Sequence, residues 1–304
     1  MTMLKAKKRR GDAAYANQLK AHSSMYEAWE RLKHRPAAMI SLAGIILIVL
    51  LAVFADVLAD YNTMAVAQNA AEKLQGPSLR HILGTDKFGR DLFARIIHGA
   101  RIALIMGVGA TFLSMLIAVI LASLGALCGN KVDNVIMRVM DILSSIPGLV
   151  IALAICAGLG AGLWQLVVAL TVQAIPYQTR MVRSRALSIA QNEYIEAARL
   201  QGAGIGHIIV RHLLPNLASI VIVTATGNVS YNILMGATLS FIGLGVAAPR
   251  PEWGLMLSES MTYMARYPYI TIVPGCAIVL TALCINTFGD CLRDAFDPQL
   301  KGRA

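Results

Sequence analysis

Apolar residues run along this chain in long blocks, not at the two-residue or 3.6-residue spacing of half-buried strands and helices. Six blocks stand out, at about 38–57, 102–127, 138–159, 163–182, 217–241 and 268–288. A helix needs roughly 20 predominantly apolar residues to cross the hydrocarbon core of a bilayer, where no water satisfies an open backbone. Each block therefore predicts a membrane-spanning helix, and the expected fold class is all-α with six spans. The middles of the blocks are free of charge, although Arg138 and Asp141 lie near the edge of the third. Pro147, Pro176 and Pro274 fall inside blocks, which membrane helices tolerate because neighbouring groups re-satisfy the freed carbonyls.

Composition agrees with the pattern. Of 304 residues, 57% are hydrophobic and 14% charged, too apolar a balance for an ordinary soluble domain. The net charge of +10 raises the question of nucleic acid. However, about a third of the Lys and Arg lies in the first 35 residues and most of the rest flanks the blocks. Membrane proteins place basic residues in this way, so no nucleic acid partner is expected. The run "MLKAKKRR", with Lys20, Arg31, Lys33 and Arg35, precedes the first block and predicts a cytoplasmic N-terminus. Six crossings return the C-terminus to the cytoplasm, leaving about 19 Lys and Arg inside and about 8 outside. The first block begins too late and lacks the small-residue context of a cleaved signal peptide.

Five regions follow: a basic cytoplasmic arm at 1–37, the first span at 38–57, an extracytoplasmic loop at 58–101, a core with five spans at 102–288, and a cytoplasmic tail at 289–304. Within the arm, "SSMYEAWERLKHRP" sets Met25, Tyr26, Trp29 and Leu32 on one helical face. That pattern fits a helix lying in the lipid interface, or one packed on another protein surface.

The chemistry of catalysis is missing from the text. No nucleophile is paired with a base, no HExxH occurs, and the six His lie outside the centres of the blocks. The five Cys lack CxxC spacing, so neither a metal site nor a disulfide is expected. Without GxxxxGK[ST], ATP is not expected to bind this chain.

The polar stretch 183–216 lies between the fourth and fifth blocks, on the cytoplasmic side in this orientation. Residues 193–201 favour helix, and Gly202 and Gly204 offer a break. Ile205, Ile208, Ile209 and Leu213 then share a second helical face, which Pro215 is expected to close. Ala197, Ala198 and Gly202 form a small-residue surface that another protein can approach closely. An ordinary surface helix has the same Glu-Ala-Ala text. Glu196-Ala197-Ala198, then Gly202, then Leu214-Pro215, placed before the penultimate span, resembles the EAA loop of ATP-binding-cassette (ABC) import permeases. His212 departs from that pattern, which has an aliphatic residue there; the neighbouring Leu213 offers a substitute contact.

Two outer segments narrow the resemblance. "HILGTDKFGRDLFARIIHGARIAL" is similar to a signature of the C-type permease subunits of dipeptide, oligopeptide and nickel importers. "FIGLGVAAPRPEWGLML" is similar to a second segment of the same subunits. In the first, Thr85 or Asp86 is suited to cap a helix, Gly89 to allow a close approach, and Asp91 to pair with Arg95. Gly84 and Arg90 complete that signature. In the second, Trp253 is suited to the membrane interface, and Glu252 to a docking protein or to Arg250.

The resemblance implies the type I importer permease fold, in a prokaryotic inner membrane, with a cytoplasmic coupling helix. It implies a homologous but non-identical second permease, and two ATPase subunits that bind the ATP and Mg. It also implies an extracytoplasmic binding protein docked on loops 58–101 and 242–267. The implied substrate is a dipeptide or oligopeptide, with nickel, glutathione or another small solute as alternatives. Polar residues within the spans are candidates for the path: Ser144, Ser145, Gln173, Thr224, Thr226, Asn228, Ser230 and Asn232. Each is equally suited to hydrogen-bonding between helices. A secondary transporter is the rival from another class, disfavoured because no ionisable residue occupies the middle of a span and no inverted repeat is evident.

Overall fold

A computed structural model describes residues 24–296, and every described segment of regular structure is helical. The main helices are α1 (Ser24–Lys33), α2 (Pro36–Val53), α3 (Leu92–Leu127), α4 (Asn130–Ser144), α5 (Gly148–Leu159) and α6 (Leu163–Ala190). They continue with α7 (Glu193–Leu200), α8 (Leu214–Phe241), α9 (Trp253–Ser260) and α10 (Tyr269–Phe296). The basic arm before residue 24 and the tail after 296 lie outside the described residues.

Helix α3 runs through the middle of the bundle, against α6 and α8, while α10 packs between α8 and α2. Small residues permit the close approach, as membrane interfaces require. A Cβ on Gly107 of α3 would stand 2.6 Å from Ile233 Cγ1 of α8, and one on Gly44 of α2 would stand 2.5 Å from Cys284 Sγ of α10. Apolar side chains that face outwards, including Ile40 and Leu47 on α2, Phe112 and Leu116 on α3, and Val279 and Leu283 on α10, suit hydrocarbon surroundings.

Among the described residues, four helices are long and apolar enough to cross a membrane, five if α4 and α5 count as one broken span. This is fewer than the six expected. The block at 163–182 does form a helix, and it extends to Ala190, roughly 42 Å at 1.5 Å per residue. Gln165, Gln173, Gln178 and Arg180 leave it less apolar than the others. The block at 138–159 is not one helix. It begins earlier, at Asn130, and bends by 81° between Ser144 and Gly148, because Pro147 has no N–H to donate and its ring pushes Ile146 out of the α region.

Helix α1 buries part of the face its pattern predicts, Leu32, together with Ala28. Ala28 and Leu32 are buried against Leu292 and Ala295 of α10, whereas Trp29 is exposed. Arg31 Nη1 donates to Ala295 O at 3.2 Å, and Arg35 pairs with Asp294 at 2.6 Å. It is therefore a helix packed on the protein's own surface, with Trp29 left outside.

Candidate functional site: the loop after α6, the central cavity and the outer segments

The loop after α6 is bolted to the bundle by three side chains. Ile195, Ile208 and Leu213 are fully buried in one cluster with Met115 and Ala122 of α3 and Val182 and Ala186 of α6. Arg199 adds a hydrogen bond from Nη2 to Leu127 O at 3.2 Å, at the end of α3. Helix α7 ends at Gly202, whose φ of +83° is the left-handed conformation that glycine adopts without cost. Gly202 N–H donates to Arg199 O and Ala203 N–H to Ala198 O, closing the helix.

Beyond the turn the chain re-enters helix and does not stop. Ile205–Phe241 is one rod of 37 residues. Pro215 therefore begins α8, where the expectation was that it closed the preceding helix. Ile209–Leu213 is a widened π turn in which Leu214 N–H reaches Ile209 O, five residues back, so the proline sits in a first turn where its missing N–H is tolerated. Ile205 was expected on the buried face but is exposed, since the shared face is carried by Ile208 and Leu213.

The opposite face of the loop is open. Glu196, Ala197, Gly202, Leu214 and Pro215 are exposed and Ala198 is half-buried. Leu200 is 84% exposed, with Tyr194, Ile205 and Val210 also uncovered. A Cβ added at Gly202, Gly204 or Gly206 would meet nothing within 4 Å. His212, the departure from the EAA pattern, is half-buried between two rings, Tyr194 at 6.1 Å and His207 at 6.0 Å between centroids. Leu213 takes the apolar contact.

A cavity of about 570 Å³ lies where the α4–α5 break, α6, α8 and the end of α10 meet. It brings together Ser144, Gln173, Thr224 and Asn228 of the candidate path residues. Asn232 and Thr226 stand outside it. Asn232 is fully buried behind the wall, donating from Nδ2 to Thr111 Oγ1 at 3.0 Å and accepting from Gln173 Nε2 at 3.4 Å, so it orients Gln173. Thr226 donates to Val223 O in its own helix, at 2.9 Å. The lining also includes Tyr177, Arg180, Tyr231 and Arg293. These were missed because Arg293 follows the last block and Arg180 reads as a flanking charge. Arg180 is held by Asp141 at 2.9 Å. Among the described residues, no three metal-ligating side chains converge.

The outer segments knit α3 to the rest of the chain. Asp91, not Thr85 or Asp86, caps α3, accepting from Ala94 N at 2.8 Å. Its other oxygen meets His81 Nδ1 at 2.8 Å, so it does not pair with Arg95. Thr85 Oγ1 instead donates to Glu72 O at 2.5 Å. Asp86 and Glu259 hold two buried arginines between them: Arg90 at 2.5 and 2.7 Å, and Arg95 at 3.5 Å from each. Gly89 turns with φ +77° against Asn69 O, so close that a Cβ would stand 1.9 Å from it, and Gly84 is buried against Tyr269.

Glu252 is 1% exposed. It caps α9 with both oxygens, accepting from Gly254 N at 2.9 Å and Leu255 N at 2.7 Å, and it pairs with no arginine. Burial pushes its carboxyl up to about 7, against the pull of those two N–H groups. Trp253 was expected at the membrane interface. It is buried, its Nε1 donating to Ile96 O at 3.0 Å with its ring against Gly99 of α3. All eight signature residues of the two outer segments are thus buried, and none is free to touch a docking protein directly.

These features define a class of protein: a helical membrane bundle with a cavity between its helices and a rigidly mounted polar loop that presents an open surface. Residues 114–302 match the family of binding-protein-dependent transport system inner membrane components, and the chain belongs to it. Residues 23–77 match the N-terminal transmembrane domain of oligopeptide transport permease C. The protein is thus a permease of an ABC import system. It is 39% identical over 285 residues, 94% of its length and 93% of the relative's, to the dipeptide transport system permease protein DppC of Alkalihalophilus pseudofirmus. It is 38% identical over 286 residues to the di/tripeptide transport system permease protein DppC of Pseudomonas aeruginosa, covering 93% of this chain and 94% of the relative. Identity is 39% over 280 residues to the glutathione transport system permease protein GsiD of Escherichia coli, 91% of each chain. Its fold is that of a chain of the inward-facing MetNI methionine ABC transporter, with a TM-score of 0.55 at 21% identity over 67% of this chain and 96% of that one.

Proposed function

We propose that this chain is the non-catalytic membrane subunit of a di- or oligopeptide importer, paired with a homologous but different permease. Two ATPase subunits bind the ATP and Mg, and an extracytoplasmic binding protein delivers the peptide. The chain crosses the inner membrane six times, counting α4–α5 and α6, with both termini in the cytoplasm. The loop from Glu193 to Leu213 docks in a groove of the ATPase, and movement there tilts α6 and α8 together. The cavity at the α4–α5 break is part of the path.

The observation that carries this reading is the two-sided build of the loop. One side, Ile195, Ile208 and Leu213, is fixed to α3 and α6, while the other exposes Glu196, Ala197, Leu200 and Gly202 with no side chain in the way. A surface helix with no partner has no need of both. Peptide transport is favoured because two of the relatives described above are named for dipeptides or tripeptides, and glutathione, the cargo named for the third, is itself a peptide.

The test is reconstitution of the complete importer in proteoliposomes. Gly202→Pro cannot adopt the +83° φ of the turn, and Glu196→Lys reverses the charge at its open face. Both variants are expected to insert normally and to lose hydrolysis stimulated by the loaded binding protein. Normal stimulation in both refutes the docking assignment. Cysteine crosslinking from position 198 to the ATPase checks proximity independently.

A further inference from the structure

Resting on the transport reading, we propose that the central cavity engages the free carboxylate of the transported peptide, with Arg293 as its principal partner. The lining contains two arginines, Arg180 and Arg293, and no carboxylate. Asp141 neutralises Arg180 from outside the lining, at 2.9 Å. Arg293 has no ion pair with any described residue, although Asp294 beside it is taken by Arg35. Among the described residues the cavity wall therefore carries one positive charge with no carboxylate paired to it. Arg293 is exposed at the mouth of the cavity, where its charge favours an anionic guest, and guanidinium meets a carboxylate with two parallel hydrogen bonds.

Two further features suit a peptide with one end of each charge. Asn228 and Gln173 line the same space, each with one of its two amide N–H groups engaged, Asn228 Nδ2 on Thr224 O at 2.8 Å and Gln173 Nε2 on Asn232 Oδ1 at 3.4 Å. Their oxygens suit the other end of a peptide, its ammonium or its amide N–H. The break before α5 also turns that helix's N-terminus to the lining at Pro147 and Gly148, adding partial positive charge without a side chain. The volume, about 570 Å³, lies in the range of sites that enclose a small molecule. Arg293 is a positioning residue for the cargo and takes no part in ATP hydrolysis.

The experiment uses the assembled permease–ATPase complex in nanodiscs without binding protein, so that the binding protein's own selectivity plays no part. The probes are a dipeptide bearing a photoreactive diazirine and its C-terminal amide. The free acid is expected to label peptides spanning 143–151, 173–180 or 223–231, and the amide to label them about tenfold less, the factor worth one charge-assisted hydrogen bond. Arg293→Gln should bring labelling by the acid down to that of the amide, and Arg293→Lys should retain most of it. Assembly of Arg293→Gln with its partner subunits, read by co-purification and by the Tm of the complex, should match that of the unaltered complex.

Equal labelling by acid and amide in the unaltered complex, no labelling by either, or unchanged labelling in Arg293→Gln would each overturn the proposal. So would failure of Arg293→Gln to assemble with its partner subunits, which would make the residue structural. Failure of the underlying transport reading is recognised differently, by an unaltered importer whose hydrolysis does not respond to loaded binding protein at all.

Discussion

Replacing Glu252 by glutamine should change how stability depends on pH while leaving the fold in place. The carboxyl is 1% exposed and caps α9 through two backbone N–H groups. Its folded value of about 7 stands above the ordinary 4.5 because burial penalises the charged form. The sign follows from linkage: the unfolded chain ionises first, so the stabilisation held by the neutral side chain is complete below pH 4.5 and is lost as pH rises through about 7. A shift of this size corresponds to about 3 kcal/mol. For a chain of this length that is a fall in Tm of roughly 5 °C.

Glutamine keeps an acceptor oxygen for the cap and never ionises, so the curve of the Glu252→Gln variant should be flat by comparison. Thermal unfolding of the purified protein in detergent, followed by tryptophan fluorescence from about pH 4.5 to about pH 8.5, measures the difference directly. Other groups titrate across this range, so the decisive quantity is the gap between the two proteins at each pH. The gap should be small at the acid end, with the Glu252→Gln variant the more stable at the alkaline end. Parallel curves would refute the argument, because they would mean the carboxyl is solvated in the folded protein.

Two further substitutions probe packing. Gly89→Ala places a Cβ 1.9 Å from Asn69 O in a backbone conformation that disfavours side chains, and should cost about 2–4 kcal/mol, read as a lower Tm and early proteolysis in 58–101. Arg183→Met leaves Asp133 buried without its bidentate partner, Arg183 Nε at 2.5 Å with Nη2 on the second oxygen. With Arg183 itself partly exposed, it should cost about 1–3 kcal/mol, and adding Asp133→Asn should restore much of the loss, as denaturation of both variants would register.

The long apolar blocks made the bundle legible from the chain alone, because desolvating a backbone outside a helix is prohibitive in lipid. The loop after α6 was legible too, through Gly202 and the spacing of Ile208 and Leu213. What escaped was decided by tertiary partners. Asp91 capping α3 and bonding His81, rather than pairing with Arg95, depends on Glu72 and the 75–85 turn folding back onto α3. Trp253 read as a membrane-interface residue because tryptophan gathers there, and Glu252 as a surface residue because glutamate usually is; a buried hydrogen bond to Ile96 and a capped short helix override those tendencies. Arg293 stood beyond the last apolar block, and only the convergence of α10 with α6 and α8 brings it to the cavity.

The unbroken helix from Ile205 to Phe241 has a mechanical meaning of its own. Its 37 residues measure roughly 55 Å at 1.5 Å per residue, so a tilt of about 5° about the middle carries each end some 2–3 Å in opposite directions. Beyond the π turn at Ile209–Leu213 such a strut has no joint at which input and output can be uncoupled. Compliance must then come from elsewhere in the chain, and the 81° elbow at Pro147, which shares the cavity with this strut, is where the bundle has a joint to give.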